Sequence, residues 1–345
     1  MMKASYKRHL LQFKQASGTS RGVLRTKETW FIQIEGTNGI GIGECGLFRG
    51  LSIDDRPNYE EKLQWVCENI NHELSFLLNE LLEYPSIQFG VEQAFLSLQS
   101  TSPFQLFSSD FSNGKDVIPI NGLVWMGDKA FMQQQIKHKL AKGFTTIKMK
   151  IGAIDFETEF ALLKAIRREF TAKDITLRVD ANGAFTPKEA LEKLHKLAAL
   201  DIHSIEQPIR QGQWQEMALL CEQSPLPIAL DEELIGIFSY AQKVNCIATI
   251  RPQFIILKPS LVGGFTGSKE WISIADQYRA GNWITSALES NVGLNAIAQW
   301  TYTLKNPLPQ GLGTGSLFTN NISSPLEVTN GNLQYNSNAA WNFNL

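Results

Sequence analysis

Short apolar runs rich in Ile, Leu and Val alternate with longer amphipathic stretches over most of the chain. Five of the runs end on a charge: Ile147-Lys148-Met149-Lys150, Leu177-Arg178-Val179-Asp180, Ser204-Ile205-Glu206, Ile228-Ala229-Leu230-Asp231 and Ile255-Ile256-Leu257-Lys258. Their terminal charges fall about 25 to 30 residues apart, which is roughly the length of a strand, a loop, a helix and a return loop. Helical spacing of apolar residues between and beyond these runs predicts helices over 128–141, 156–170, 187–199, 213–221, 237–245, 267–278 and 293–304. The alternation begins near Val117-Ile118-Pro119-Ile120. Strands alternating with helices predict a parallel sheet, and seven or more such strands predict its closure into a barrel.

The first hundred residues follow a different rhythm. Thr29-Trp30-Phe31-Ile32-Gln33-Ile34 and Ile40-Gly41-Ile42-Gly43-Glu44 flank Thr37-Asn38-Gly39, a β-hairpin pattern. Residues 59–82 and 86–100 then show helical spacing. The expected organisation is an α+β domain over residues 1–105 and a barrel over 106–317. A tail, 318–345, rich in Asn, Ser and Gly, returns to the first domain.

A chain of 345 residues fits a barrel of about 200–250 residues plus one smaller unit. The net charge of −2, with no basic block, argues against nucleic acid as the partner. Cys45, Cys67, Cys221 and Cys246 form no C-x-x-C pair and read as reduced thiols. Residues 1–22 lack the apolar core of a signal peptide, and no apolar run approaches the ~18 residues of a membrane helix, so a cytoplasmic protein is expected.

In a parallel barrel all C-terminal strand ends open on one face. Asp180, Glu206 and Asp231 would then stand together, with Lys150 and Lys258 on either side. Three carboxylates suit Mg²⁺, and flanking amines suit proton transfer beside it. Lys148 and Lys150 share one face of their strand, as do Arg178 and Asp180, so inward charges from several strands must neutralise one another. Asp231, the first residue after its apolar run, is preferred as third ligand. Glu232 and Glu233 are expected to support the ligands or to be solvated.

Gly41-Ile42-Gly43-Glu44-Cys45-Gly46 matches G-x-G-x-x-G, but it lies in the second arm of a hairpin with no helix directly after it, so glycines for close packing are expected instead. Residues 45–52, with Phe48 and Arg49 between glycines, are a candidate lid. The five histidines form no H-x-H or H-E-x-x-H, and no G-x-S-x-G or Walker motif is present.

Lys148-x-Lys150, Asp180-Ala181-Asn182-Gly183, Glu206-Gln207-Pro208, Leu230-Asp231-Glu232, Lys258-Pro259 and Thr285-Ser286-Ala287-Leu288-Glu289-Ser290, in this order, resemble the enolase superfamily in its muconate-cycloisomerase-type subgroup. The resemblance covers nearly the whole chain. It implies a modified TIM barrel, (β/α)7β, under an N-terminal α+β capping domain. It also implies removal of a proton next to a carboxylate, with Mg²⁺ as cofactor. By the same resemblance Lys150 is the base, Lys258 the opposite lysine and Asp180, Glu206 and Asp231 the metal ligands. Lys148, Arg178, Asn182, Thr285, Ser286 and Glu289 would surround a small carboxylate substrate. Thr285-Ser286-Ala287 departs from the longer serine run of the pattern. Lys148 and Arg178 are expected to lower the pKa of Lys150 by like-charge repulsion.

No histidine follows His203, which disfavours relatives with a late His–Asp dyad. Residues 311–316 carry no acid, where dipeptide epimerases carry Asp-x-Asp for the substrate's amino group. Within the subgroup the resemblance is strongest to the enzymes that dehydrate 2-succinyl-6-hydroxy-2,4-cyclohexadiene-1-carboxylate to o-succinylbenzoate in menaquinone synthesis, so that is the reaction it implies. N-acylamino acid racemisation, dipeptide epimerisation and muconate-type cycloisomerisation are the alternatives. A barrel kept only as a binding scaffold should have lost one of the five charges, and all are present.

Overall fold

In the computed structural model of the protein the described residues are 1–19, 22–37, 39–125 and 129–344. Asn38 of the expected turn and Asp128 at the start of an expected helix lie outside them. The chain opens with an antiparallel sheet, β1 (Lys3–Thr19), β2 (Gly22–Gly36) and β3 (Gly39–Cys45), paired in that order. β1 has no counterpart in the sequence reading. Residues Lys3–Leu10 are exposed or only half-buried, and too few of them are apolar to display a period of two.

Next come α1 (Tyr59–Glu68), α2 (Leu74–Glu80) and α3 (Pro85–Gln99). The single helix expected over 59–82 is in fact two. Asn69 ends α1, its backbone N–H turning back to the Trp65 and Val66 carbonyls and its side-chain amide donating to Trp65 O (2.8 Å). Trp30, Ile32 and Ile34 of β2 pack with Ile87, Val91 and Ala94 of α3 to form the core of this unit.

The glycines of the G-x-G pattern set how closely β3 approaches α3. A Cβ at Gly43 would overlap the Gly90 carbonyl oxygen, and one at Gly90 would overlap Cys45 Sγ. The pattern is thus a packing device. Gly43→Ala is expected to destabilise the protein by about 1–3 kcal/mol, because backbone must move to admit the methyl. A thermal melt matching the unsubstituted protein would contradict that close approach.

The remaining elements are β4 (Val117–Pro119), β5 (Gly122–Val124), α4 (Lys129–Ala141), β6 (Thr146–Lys150), α5 (Phe156–Glu169), β7 (Thr176–Asp180), α6 (Pro187–Ala198), β8 (Ile202–Glu206), α7 (Trp214–Gln223), β9 (Ile228–Leu230), α8 (Tyr240–Ile250), β10 (Phe254–Leu257), α9 (Pro259–Val262), α10 (Gly264–Gln277), β11 (Gly281–Ile284), α11 (Asn291–Thr303), β12 (Leu326–Thr329) and β13 (Asn332–Tyr335). The helix expected over 237–245 starts later, at Tyr240, because Ser239 and Gln242 form a reciprocal capping box there.

Strands β5 to β11 form one parallel sheet in chain order. Gln310 bridges Ile120 and Gly311 bridges Thr285, both in parallel, so a short eighth segment joins the two edges of the sheet. The result is the (β/α)7β barrel. Ile147, Met149, Leu177, Val179 and Ile205 face outward into the core under the helices, which leaves Lys148, Lys150, Arg178, Asp180 and Glu206 facing inward. β12 and β13 extend a small sheet from β4, Phe318 packs on Phe13 (4.7 Å between ring centroids) and Phe343 on Phe31 (5.4 Å). No helix among the described residues is long and apolar enough to cross a membrane.

Candidate active site

The register of the barrel puts Lys150, Asp180 and Glu206 side by side, Lys150 opposite Asp180 and Asp180 opposite Glu206. Lys150 Nζ donates to Asp180 Oδ2 (2.9 Å) and to Asn182 Oδ1 (2.6 Å). Lys148, one inward position lower, pairs with Asp180 Oδ2 (2.9 Å) and with Glu206 Oε2. Across the barrel Lys258 pairs with Asp231 Oδ2. Asn182 adopts a left-handed backbone (φ 44°), which Asn tolerates, and its amide donates to Glu232 Oε1 (2.9 Å). All five charges named from their spacing therefore meet in one cluster.

The three carboxylates are buried, at 0, 3 and 2% exposure for Asp180, Glu206 and Asp231. Burial alone would raise all three pKa values, and the lysines decide which stay ionised. Lys148 and Lys150 hold Asp180 well below the usual carboxylate range, and Lys258 lowers Asp231. Glu206 goes the other way: its desolvation and the neighbouring Asp180 and Asp231 charges push it well above the usual range. Burial opposes the charge on Lys148 and Lys258, yet Asp180 acting on the first and Asp231 on the second raise both.

With ammonium groups lying between the carboxylates, no three acidic, His or Cys side chains among the described residues meet at one point. The donor set still fits a hard divalent cation. It consists of carboxylate oxygens, and Glu206 Oε1 is a buried acceptor that receives no hydrogen bond. Glu232 and Glu233 are both buried rather than solvated. Glu232 takes the Asn182 amide, and Glu233 accepts from Gly212 N (2.7 Å) and Gln207 Nε2 (3.0 Å).

Above the cluster is a pocket lined by Lys148, Lys150, Asp180, Asn182, Lys258, Thr285 and Ser286. Thr285 Oγ1 donates to Gly311 O (2.9 Å), and Ser286 Oγ lies 2.6 Å from Thr314 Oγ1. From residues 45–52, Phe48 and Leu51 face the pocket. Arg49 turns away to Glu28 and Asp55 (2.6 Å each).

Two residues expected around the substrate lie outside the pocket wall. Arg178 is absent from the pocket wall. It sits one inward position below Asp180, its guanidinium 4.2 Å over the Trp283 ring and its Nη1 donating to Pro309 O (2.9 Å). It holds the barrel floor, and its charge is not beside Lys150. Glu289 is also outside the wall. Its carboxylate accepts from Ser260 Oγ and from Ala287 N (2.7 Å), on the side of the capping domain, where its charge and that of Glu44 act on the buried Lys27. Both residues have the right parity or motif for a site, but side-chain depth and the covering domain are invisible in a one-dimensional pattern. Conversely Trp125, Phe144, Leu288 and Lys139 line the pocket and were missed. Trp125, Phe144 and Leu288 are single apolar residues in the segments flanking strands, and Lys139 comes from a helix, where no strand pattern points inward.

Residues 132–339 match the family described as Enolase C-terminal domain-like. An o-succinylbenzoate synthase from Desulfotalea psychrophila is 46% identical, over 96% of this chain and 98% of that protein. The crystal structure of MenC from the same organism superposes with a TM-score of 0.87 at 43% identity, covering 96% of this chain and 99% of that one. The L-Ala-D/L-Glu epimerase of Bacillus subtilis is 25% identical, over 84% of this chain and 81% of that protein.

Proposed function

The chain belongs to the enolase superfamily, and from that premise we propose that it is a Mg²⁺-dependent carbon–oxygen lyase, an o-succinylbenzoate synthase of menaquinone synthesis. One observation carries the choice of substrate: among the described residues the pocket wall presents Lys139, Lys148, Lys150 and Lys258 but only Asp180 as an acid. Such a wall favours a dicarboxylate. It offers no separate partner for the ammonium of a dipeptide, since Gly311, Gly313, Thr314 and Ser316 of the wall carry no charge.

Asp180, Glu206 and Asp231 would hold the cation, which supplies positive charge to a carboxylate that gains electron density during the reaction. Lys150, held by Asp180 and Asn182 on one wall, takes the proton from the ring carbon bearing the carboxylate. The electron pair of that C–H bond moves into the carboxylate to give an enediolate. Lys258, on the facing wall, keeps its charge through Asp231 and faces the enediolate from the other side. The enediolate then collapses, the ring C–O bond breaks, and Lys150 returns its proton to the departing hydroxyl. The balance is one substrate to o-succinylbenzoate plus water. Thr285 and Ser286 provide hydroxyls toward the substrate, and Phe48 and Leu51 exclude water.

Purified protein with the cyclohexadiene substrate and Mg²⁺ is expected to form o-succinylbenzoate, with turnover lost on adding a chelator. Absence of product under saturating Mg²⁺ overturns the reading. The facing lysines also suit two-face racemisation, so a second experiment separates the roles. Lys258→Arg keeps the charge but cannot readily release a proton, because the guanidinium pKa exceeds ~12. The variant is expected to retain dehydration, reduced roughly 10- to 100-fold by altered geometry, and to lose racemisation of an N-succinylamino acid in D₂O. Robust racemisation by Lys258→Arg would contradict the two-face scheme, in which each lysine moves a proton on its own face.

A further inference from the structure

Three of the four lysines on the pocket wall are committed to carboxylates: Lys148 to Asp180 and Glu206, Lys150 to Asp180, Lys258 to Asp231. Lys139 is different. It reaches the pocket from α4, outside the ring of strand ends. Among the described residues its ammonium has no carboxylate partner, and it lies over the face of Phe144, 5.0 Å from the ring centroid. The stem of Lys139 occupies room that Gly122 leaves free, since a Cβ at Gly122 would come 3.0 Å from Lys139 Cδ. Trp125, Leu123 and Phe144 line the same pocket and make its surroundings apolar, so an anion arriving there meets a cation in a poorly solvated place.

The substrate reading above requires two carboxylates. One belongs at the Asp180–Glu206–Asp231 cluster, where the proton is removed. The other ends a flexible three-carbon arm and needs a cation of its own. We propose that Lys139 binds the distal, succinyl carboxylate and so selects substrates carrying a second negative charge. The assignment rests on the dehydration reading for the identity of the ligand. Its chemistry is a carboxylate at the end of an acyl arm. A lysine on an apolar stem suits this role, because burial and, to a smaller extent, the neighbouring Lys142 work against its charge until an anion arrives.

The test uses the full-length, Mg²⁺-saturated protein and two probes, o-succinylbenzoate and 2-butyrylbenzoate, which has a methyl in place of the distal carboxylate. Calorimetry is expected to show o-succinylbenzoate binding weakened roughly 10- to 100-fold in Lys139→Met, the loss of one charge-assisted contact. Binding of 2-butyrylbenzoate should be unchanged, and Lys139→Arg should restore most of the o-succinylbenzoate affinity. Equal weakening of both probes would make Lys139 a packing residue and overturn the assignment. So would unchanged binding of both. Unsubstituted protein that binds neither probe would overturn the dehydration reading together with the assignment, whereas binding of both probes with no effect of Lys139→Met overturns the assignment alone.

Discussion

Lys150→Ala is expected to lower the turnover of dehydration by about 10²- to 10⁴-fold, the range a positioned acid–base group supplies, and to leave the fold intact. The expectation follows from the single-lysine scheme, in which Lys150 both takes the proton and returns it to the leaving hydroxyl. No neighbour can replace it. Lys148 is held low in the barrel between Asp180 and Glu206, and Lys258 stands on the other wall. The fold tolerates the loss because Asp180 keeps Lys148 at 2.9 Å, so no buried carboxylate is left without a cation. Substrate affinity should change little, which places the effect on kcat rather than KM. Far-UV circular dichroism and a thermal melt check the fold. Turnover within a few-fold of the unsubstituted protein, with the fold unchanged, would remove Lys150 from the mechanism.

The second large effect is on the cation. Asp180→Asn, Glu206→Gln and Asp231→Asn should each weaken Mg²⁺ binding by more than the ~10- to 100-fold that loss of a supporting residue around a metal costs. Glu232→Gln should stay within that range, because its carboxylate supports Asn182. Glu206→Gln is the most informative of the four. Glu206 Oε1 is a buried acceptor with no hydrogen bond, and desolvation together with Asp180 already disfavours its charge. A cation relieves both conditions at once. Calorimetric titration with Mg²⁺ reads the effect without any need for turnover. If Glu232→Gln proves the most damaging, Asp231 is not the third ligand.

Period-two placement of Lys148, Lys150, Arg178 and Asp180, and charges at strand ends one βα unit apart, made the parallel barrel and its inward charges legible before any coordinates. The hairpin around β2 and β3 was legible for the same reason, since its apolar residues alternate over a short distance. β1 was not, because over Lys3–Leu10 the side chains are exposed or only half-buried and too few are apolar to leave an alternating record. The single helix read over 59–82 failed at Asn69, where a local side-chain bond competes with helix continuation.

Within the site the division is as clear. Local sequence determined which side chains point inward and in what order they follow one another around the ring, because strand periodicity and βα spacing are properties of neighbouring residues. Only the tertiary structure decided how deep each one lies and what covers it. Arg178 shares the parity of Asp180 yet stacks on Trp283 at the floor. Glu289 follows its motif yet turns to Ser260 beneath the capping domain. Lys139 enters from a helix because Gly122, on a neighbouring strand, has no side chain to stop it. Each outcome is set by the volume and charge of residues far away in the chain, and a reading of the chain in one dimension contains no such distances.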